Sequence, residues 1–283
     1  MHGVNVAALI EQHQVRFTPA ERRTAAVVLD QPQLVAFGTV AELAKAASTS
    51  GASVIRLCTK LGFDGFSSLQ DSVQRDLGRQ LRPATARIRQ PESGDLLSRA
   101  LAVELDNTQG TIEGVDRKRY QLAVEALTGS TNRVYTLTGD ASRGIGFQFT
   151  SDLSTLRAGV IQVTGSEVQV YRTLAELRPG DTLVTLDLAR YDAWLLKAAG
   201  AAAARQATVI ALTDSALSPL ARIADVHFVV RAKGVGPFDS YLGALALLNS
   251  LVAGAADRLR ASATESLDRI EDAWSEAGVF IDE

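Results

Sequence analysis

The spacing of apolar residues changes character along this chain. Between Thr39 and Phe63, in TVAELAKAASTSGASVIRLCTKLGF, they recur at offsets of three and four, the period of a helix packed on one side. Val40, Leu43, Ala44 and Ala47 share one face of a helix from about Thr39 to Ala47, and Ser48-Thr49-Ser50 interrupts it. A second helix, from about Gly51 to Leu61, turns Val54, Ile55, Cys58 and Leu61 inward. Ser50 suits its N-cap, and Gly62 suits the left-handed stop at its C-terminus. Two short helices joined by a tight polar turn predict a helix-turn-helix. Ser53, Arg56, Thr59 and Lys60 lie between the buried positions of the second helix, which can enter a DNA major groove N-terminus first.

The flanks support this reading. Phe17-Thr18-Pro19-Ala20-Glu21 is a helix start, with Thr18 as N-cap, Pro19 at the first helical position and Glu21 as capping-box partner. Downstream, Phe63, Phe66 and Leu69 are spaced for a further helix that closes a small core.

From Arg133 onward the pattern is different. Short apolar runs at Val134–Leu137, Gly159–Val163, Thr182–Leu186, Thr208–Leu212 and Val226–Val230 alternate with helical stretches, among them the Ala-rich Ala198–Ala204. This alternation predicts an α/β fold, a parallel sheet covered by helices on both faces. Two helices precede the sheet. Asp95 caps one containing Leu96, Leu97, Leu101 and Leu105, and the other runs from Asp116 to about Leu127. Between the two regions, LRPATARIRQPESGD breaks the helical pattern with two prolines and a glycine. The expected organisation is a helical domain at 1–80, a linker at 81–95 and an α/β domain at 96–283.

Charge follows the same division. Residues 1–90 carry 11 Lys and Arg against 7 Asp and Glu, and the remainder carries 18 against 25. A mildly basic head on an acidic body suits a DNA-binding domain joined to something else. Cys58 is the single cysteine, so there is no internal disulfide framework, and its place on the inner helix face fits a small buried residue. His2, His13 and His227 are scattered and form no metal-ligand set. The N-terminus lacks the pattern of a signal peptide, and no long uncharged apolar run could span a bilayer. A cytoplasmic protein with no membrane partner, metal or cofactor is the expectation.

Ligands of open parallel sheets bind beyond the carboxyl ends of the strands. Three loops there carry usable chemistry. Thr138-Gly139-Asp140-Ala141-Ser142-Arg143-Gly144 has glycines for close backbone approach, a hydroxyl and a helix N-terminus, the ingredients of an anion site or of a simple tight turn. The second loop is Asp187-Leu188-Ala189-Arg190-Tyr191-Asp192. The third, from Thr213 through Asp214 and Ser215 to Leu220, supplies either ligand contacts or a helix cap. Asp140, Asp187, Asp192, Asp214 and Asp239 fall in no acid/base arrangement, so no catalytic residue is assigned.

The stretch FTPAERRTAAVVLDQPQLVAFGTVAELAKAASTSGASVIRLCTKLGFDGFSSLQ resembles the N-terminal DNA-binding domain of the MurR/RpiR family of bacterial transcriptional regulators over about residues 10–80. Ser48 stands where that family usually has glycine, and Gly51 where it often has an acidic residue. The second half, over about residues 120–260, resembles a sugar isomerase (SIS) domain. VYTLTGDASRGIGFQF, DTLVTLDLARYD, ATVIALTDSALSPLARIADVHFVV and GPFDSYLGALALLNSLV carry that likeness. It implies a doubly wound, five-stranded sheet of flavodoxin-like order that binds phosphosugars. One departure matters. SIS domains usually place an S-x-S-G-x-T stretch in the second loop, and here Thr185-Leu186-Asp187-Leu188-Ala189-Arg190-Tyr191 replaces it. A carboxylate beside a phosphate repels it unless Arg190 or Arg143 compensates.

Two function classes follow. One is a transcriptional regulator whose SIS domain senses a small carbohydrate-derived effector or only dimerises. The other is an SIS-fold phosphosugar isomerase with an added head. The helix-turn-helix favours the regulator, since an isomerase has no use for it. The expected DNA-facing residues are Thr49, Ser50, Ser53, Arg56 and Lys60. The expected effector-binding residues are Gly139, Ser142, Arg143, Asp187, Arg190, Thr213, Asp214 and Ser215. The expected partners are a double-stranded operator, a small effector and a second copy of the chain, joined through the helix around Tyr241–Ala253.

Overall fold

Capping residues and a proline set the helices of the N-terminal part. Thr18 and Thr39 each form a complete capping box, with Glu21 and Glu42, and Pro19 opens its helix. The computed structural model describes residues 6–81, 84–89, 94–188, 190–216 and 218–280. The chain divides into two compact units, Met1–Pro91 with Ser215–Arg222, and Glu92–Asp214 with Ile223–Glu283.

The first unit is helical: α1 (Val6–His13), α2 (Pro19–Asp30), α3 (Pro32–Phe37), α4 (Val40–Ala46), α5 (Gly51–Lys60), α6 (Phe66–Leu81) and α7 (Ala84–Ile88). Val28, Val35, Leu43, Val54, Leu57, Leu69 and Val73 are fully buried and form one core with Phe17, Phe63 and Phe66. Ile55, expected inward, is 41% exposed, and Leu57 holds the inward position. On a helix of 3.6 residues per turn, Val54, Leu57, Cys58 and Leu61 fall within an arc of about 100°, and Ile55 lies about 60° beyond it. The expected linker is also not unstructured throughout. Ala84–Ile88, free of glycine and proline, forms α7. Residues 82, 83 and 90–93 of that segment lie outside those described.

The second unit begins with α8 (Leu96–Glu113) and α9 (Arg117–Leu127), capped by Asp95 and Asp116. The sheet follows: β1 (Val134–Thr138), α10 (Arg143–Leu156), β2 (Val160–Gln162), α11 (Glu167–Ala175), β3 (Thr182–Leu186), α12 (Ala193–Ala204), β4 (Thr208–Thr213) and, after α13 (Pro219–Ile223), most of which falls in the segment grouped with the first unit, β5 (Val226–Val229). Then come α14 (Leu242–Arg258) and α15 (Arg260–Glu276). The five strands are all parallel in the order β2-β1-β3-β4-β5. This is the doubly wound, flavodoxin-like order, with its reversal between β1 and β3. Register puts Val134, Val184, Ile210 and Val226 on one face, where Phe149 and Leu153 of α10 and Leu247 and Leu251 of α14 complete the core.

That packing changes the reading of two helices. α14, expected as a dimer surface, buries Gly243, Ala244, Leu247, Leu248, Leu251 and Ala255 within its own unit. The exposed leucines lie on α8 instead, at Leu96, Leu97, Leu101 and Leu105, with Ile112 beyond. Among the described residues no single helix is long and apolar enough to cross a membrane.

Candidate functional site

In the first unit, α4 ends in a Schellman turn. Ser48 N–H donates to Lys45 O at 3.1 Å and Thr49 N–H to Ala44 O at 2.9 Å, with Ser48 in the left-handed region at φ 48°. Arg23 braces the turn, donating to Ala47 O at 3.3 Å and Ser48 O at 3.2 Å. Ser50 then caps α5, its hydroxyl accepting from Ser53 N–H at 3.4 Å. The outward face of α5 consists of Ala52, Ile55, Arg56 and Thr59.

The five residues expected at DNA are placed unevenly. Ser50 and Arg56 are exposed, and Thr49 is half-buried at the turn. Ser53 is buried and accepts from the Arg56 guanidinium at 2.9 Å, so it positions that arginine from behind. Lys60 donates to the Glu21 carboxylate at 2.7 Å and to Arg16 O at 3.1 Å. Burial works to raise the Glu21 pKa, but hydrogen bonds from Lys60 and Thr18 outweigh it and hold the carboxyl below its ordinary value. Lys60 is thus tied to the core of the head. Lys60 remains exposed beside that ion pair, and Ala52 and Ile55, the latter expected inward, are exposed on the same helix.

In the second unit, the crevice between β1 and β3 is closed by the chain's own groups. Ser142 is buried, and its hydroxyl donates to Gly139 O at 3.2 Å and Leu186 O at 3.3 Å. Asp187 is buried and accepts from Asp192 N–H at 2.7 Å. A side chain on Gly139 would meet carboxylate oxygens of Asp192 at 3.0 Å and Asp187 at 3.3 Å, a tight fit that would require the pair to shift by a few tenths of an ångström. Burial raises the Asp187 carboxyl to about 7. The charges of Asp192 and Asp214 add to the rise, and the Asp192 and Leu188 amides oppose it. Asp214 accepts from the Tyr191 hydroxyl at 2.8 Å. Burial, then Asp214, drives the Tyr191 pKa far upward. Burial, with Asp239 and Asp187 nearby, raises Tyr241 to about 12. Thr213 and Ser215 are buried, and Arg190 is exposed with φ 73°.

Open space lies to one side, beyond the ends of β1 and β2. A cleft of about 290 Å³ there is lined by Thr138, Asp140, Arg143, Gln162, Glu167 and Trp194, among others. Of the eight residues expected at the effector, the cleft takes in Arg143 alone. Asp187, Arg190, Thr213, Asp214 and Ser215 do not line it, because the β3 loop folds back on Asp187. Glu167 and Trp194, which line this cleft, were not among the expected residues, since they belong to the crossover helices α11 and α12 and sit in no recognisable motif. Among the described residues no group of three or more His, Cys, Asp and Glu is arranged to hold a metal ion.

A helix-turn-helix head and a five-stranded parallel sheet of flavodoxin-like order define a two-domain regulator of SIS type. Residues 4–80 match the rpiR-family helix-turn-helix domain, and residues 130–254 match the SIS domain. The chain thus carries an rpiR-type helix-turn-helix domain followed by a SIS domain, the make-up of a transcriptional regulator. It is 28% identical over 233 residues to an HTH-type transcriptional regulator of Caldanaerobacter subterraneus subsp. tengcongensis, a match covering 81% of each chain. It is 25% identical to the bifunctional protein glk of Paraburkholderia xenovorans, over 88% of this chain and 39% of that protein. Among solved structures, the sugar isomerase domain of an RpiR transcription factor from Sphaerobacter thermophilus superposes with a TM-score of 0.60 at 28% identity, over 63% of this chain and 99% of that one. The Vibrio vulnificus NanR protein, complexed with ManNAc-6P, shares the fold at a TM-score of 0.56 and 22% identity, over 96% of this chain and 99% of that one.

Proposed function

We propose that this regulator binds a double-stranded operator as a homodimer through the outward face of α5, and that its SIS unit senses a small metabolite rather than catalysing a reaction. One observation carries the DNA reading. α5 is capped by Ser50, its inner face is consumed by the core, and Ala52, Ile55, Arg56 and Thr59 remain as a continuous outer face. Arg56 supplies the fork suited to a guanine edge or a phosphate, and Ala52 and Ile55 suit a thymine methyl. A second copy is needed because one small head reads too few bases for genomic selectivity. Leu97, Leu101, Leu105 and Ile112, all exposed, fall within an arc of about 80° on α8 and form an apolar stripe that supports pairing of two copies. The NanR relative, in complex with ManNAc-6P, supports effector sensing by the SIS unit.

Footprinting on DNA upstream of the protein's own gene tests this reading. Two protected half-sites about 34–36 Å apart, or a multiple of that, are expected. A single half-site occupied by one monomer overturns the dimer. One observation favours a second reading, an isomerase-like activity: Asp187 titrates near neutrality in a crevice, as a general base would. Its carboxylate is aimed at the Asp192 amide, which argues for a capping role. Aldose–ketose interconversion that disappears in Asp187→Asn would establish the enzyme.

A further inference from the structure

The cleft beside β1 and β2 differs in chemistry from a phosphate cradle. Its formal charges are Asp140, Arg143 and Glu167, and Arg143 is already paired with Asp140. Ser166 and Gln169 form a capping box at the start of α11, and Glu167 occupies its first turn. The positive end of that helix is therefore already met by a carboxylate. An incoming phosphate would find no unpaired cation among these lining charges, and it would face Glu167 together with the Asp187 and Asp192 pair behind Gly139.

The rest of the lining suits hydroxyl groups. Thr138 lines the cleft at the end of β1, but its hydroxyl is sealed from solvent on the side of Gly146 in α10, so the polar contacts open to a ligand come from Glu167. Glu167 is exposed in the cleft and offers acceptor oxygens. Trp194, at the start of α12, is half-buried and presents an aromatic surface to the same space. An aromatic face beside a carboxylate is how proteins hold a sugar ring: its C–H face packs on the indole and its hydroxyls donate to the carboxylate oxygens. A space of about 290 Å³ is at the small end of ligand sites, the size of one such ring.

We propose that this cleft binds an unphosphorylated monosaccharide, packed on Trp194 and hydrogen-bonded to Glu167, and that it discriminates against the phosphorylated form of the same sugar. The proposal rests on the reading of the SIS unit as a sensor and names the chemical class it senses. A phosphosugar-responsive ancestor would become a sensor of free sugar through loss of the β3 cradle and of any unpaired cation at α11.

The chain has two tryptophans, Trp194 and Trp274, so Trp274→Phe leaves Trp194 as the sole indole reporter. Full-length Trp274→Phe protein is titrated with glucose, glucosamine and N-acetylglucosamine, and with the 6-phosphates of the same three sugars. At least one unphosphorylated compound should shift Trp194 emission, and its 6-phosphate should bind about tenfold or more weakly. Glu167→Lys, a change at an exposed position, should narrow or invert that preference. Silence from every unphosphorylated probe up to about 10 mM, or tighter binding of the phosphates, overturns the proposal. So does a preference indifferent to Glu167→Lys. Operator retardation on the same preparation separates the two readings. Sugar binding without DNA binding sinks the regulator and keeps the cleft, and DNA binding without sugar binding does the reverse.

Discussion

Of the three described non-glycine residues in left-handed backbone, Ser48, Arg190 and Gln206, the first two lie in turns beside the sites discussed above, and they differ in what they carry. Ser48, at φ 48°, ends α4 with both Schellman hydrogen bonds intact. The companion turn after α5 uses Gly62 at φ 84° with the same two bonds, Gly62 N–H to Thr59 O and Phe63 N–H to Cys58 O. Arg190, at φ 73°, lies in the loop after β3. Laid over S-x-S-G-x-T from Asp187, the motif's glycine falls on Arg190 and its threonine on Asp192. Both turns keep the backbone shape that glycine would favour. In the head, the outer face of α5 keeps its presentation. In the β3 loop, Asp187 and Asp192 stand where that motif has hydroxyls, so this curve carries carboxylates. Left-handed backbone occurs at both turns, and side-chain chemistry is what sets the β3 loop apart from the head, the kept site of the two.

The largest test of that contrast is Asp187→Asn. An unfolded aspartate ionises near 3.8, and folded Asp187 near 7. Between those values the folded state holds a proton that the unfolded state has released. The stabilisation by the neutral form is therefore fully present below about 4 and is lost as pH rises through about 7. Asparagine keeps an acceptor for the Asp192 amide and removes the charge. Urea melts should find Asp187→Asn more stable than the parent at pH 8 by on the order of 2–4 kcal/mol, with little difference near pH 4. A pH-independent difference would mean that the carboxylate is better solvated than its burial implies.

Arg56→Ala probes the kept site. It should weaken operator binding by about 1–3 kcal/mol and relax sequence preference at one position, with little change in melting. Ser53→Ala should act in the same direction but more weakly, because Ser53 only steadies the guanidinium at 2.9 Å. Lys60→Ala should instead lower thermal stability, since it removes the cation from the buried Glu21 carboxylate and leaves it only its capping-box bond from the Thr18 N–H. Equal loss of DNA affinity in all three, without loss of stability in Lys60→Ala, would return Ser53 and Lys60 to the DNA face.

The head was legible because its determinants are local. Caps, the proline and the 3.6 period lie within a few residues of the elements they specify, and Thr18, Thr39, Ser50 and Gly62 all act as their residue types predict. Ile55 and Leu57 were exchanged because an apolar residue next to the stripe reads as part of it. In the second unit, the strands and their order were also readable. The open cleft was not, since Glu167 and Trp194 meet only through two crossovers of the sheet. The role of α14 was hidden for a similar reason. Apolar content predicts burial, but whether the cover is the same chain or a second copy depends on α8 and α10, which lie far away in sequence.

The smallest effect returns to the turn itself. Ser48 is exposed, and its backbone already makes every bond of the Schellman motif, so Ser48→Gly removes no described side-chain contact. Left-handed backbone costs a non-glycine residue roughly 1–2 kcal/mol. Glycine in turn gives the unfolded chain more freedom, which takes back about 0.4–1 kcal/mol. The net expectation is stabilisation by about 0.5–1 kcal/mol, seen as a higher urea midpoint with an unchanged slope. Operator affinity should stay the same, because the carbonyls that Arg23 grips and the cap at Ser50 are untouched. A destabilised Ser48→Gly would show that the serine hydroxyl holds the turn. Altered affinity at unchanged stability would show that Ser48 belongs to the DNA-facing surface.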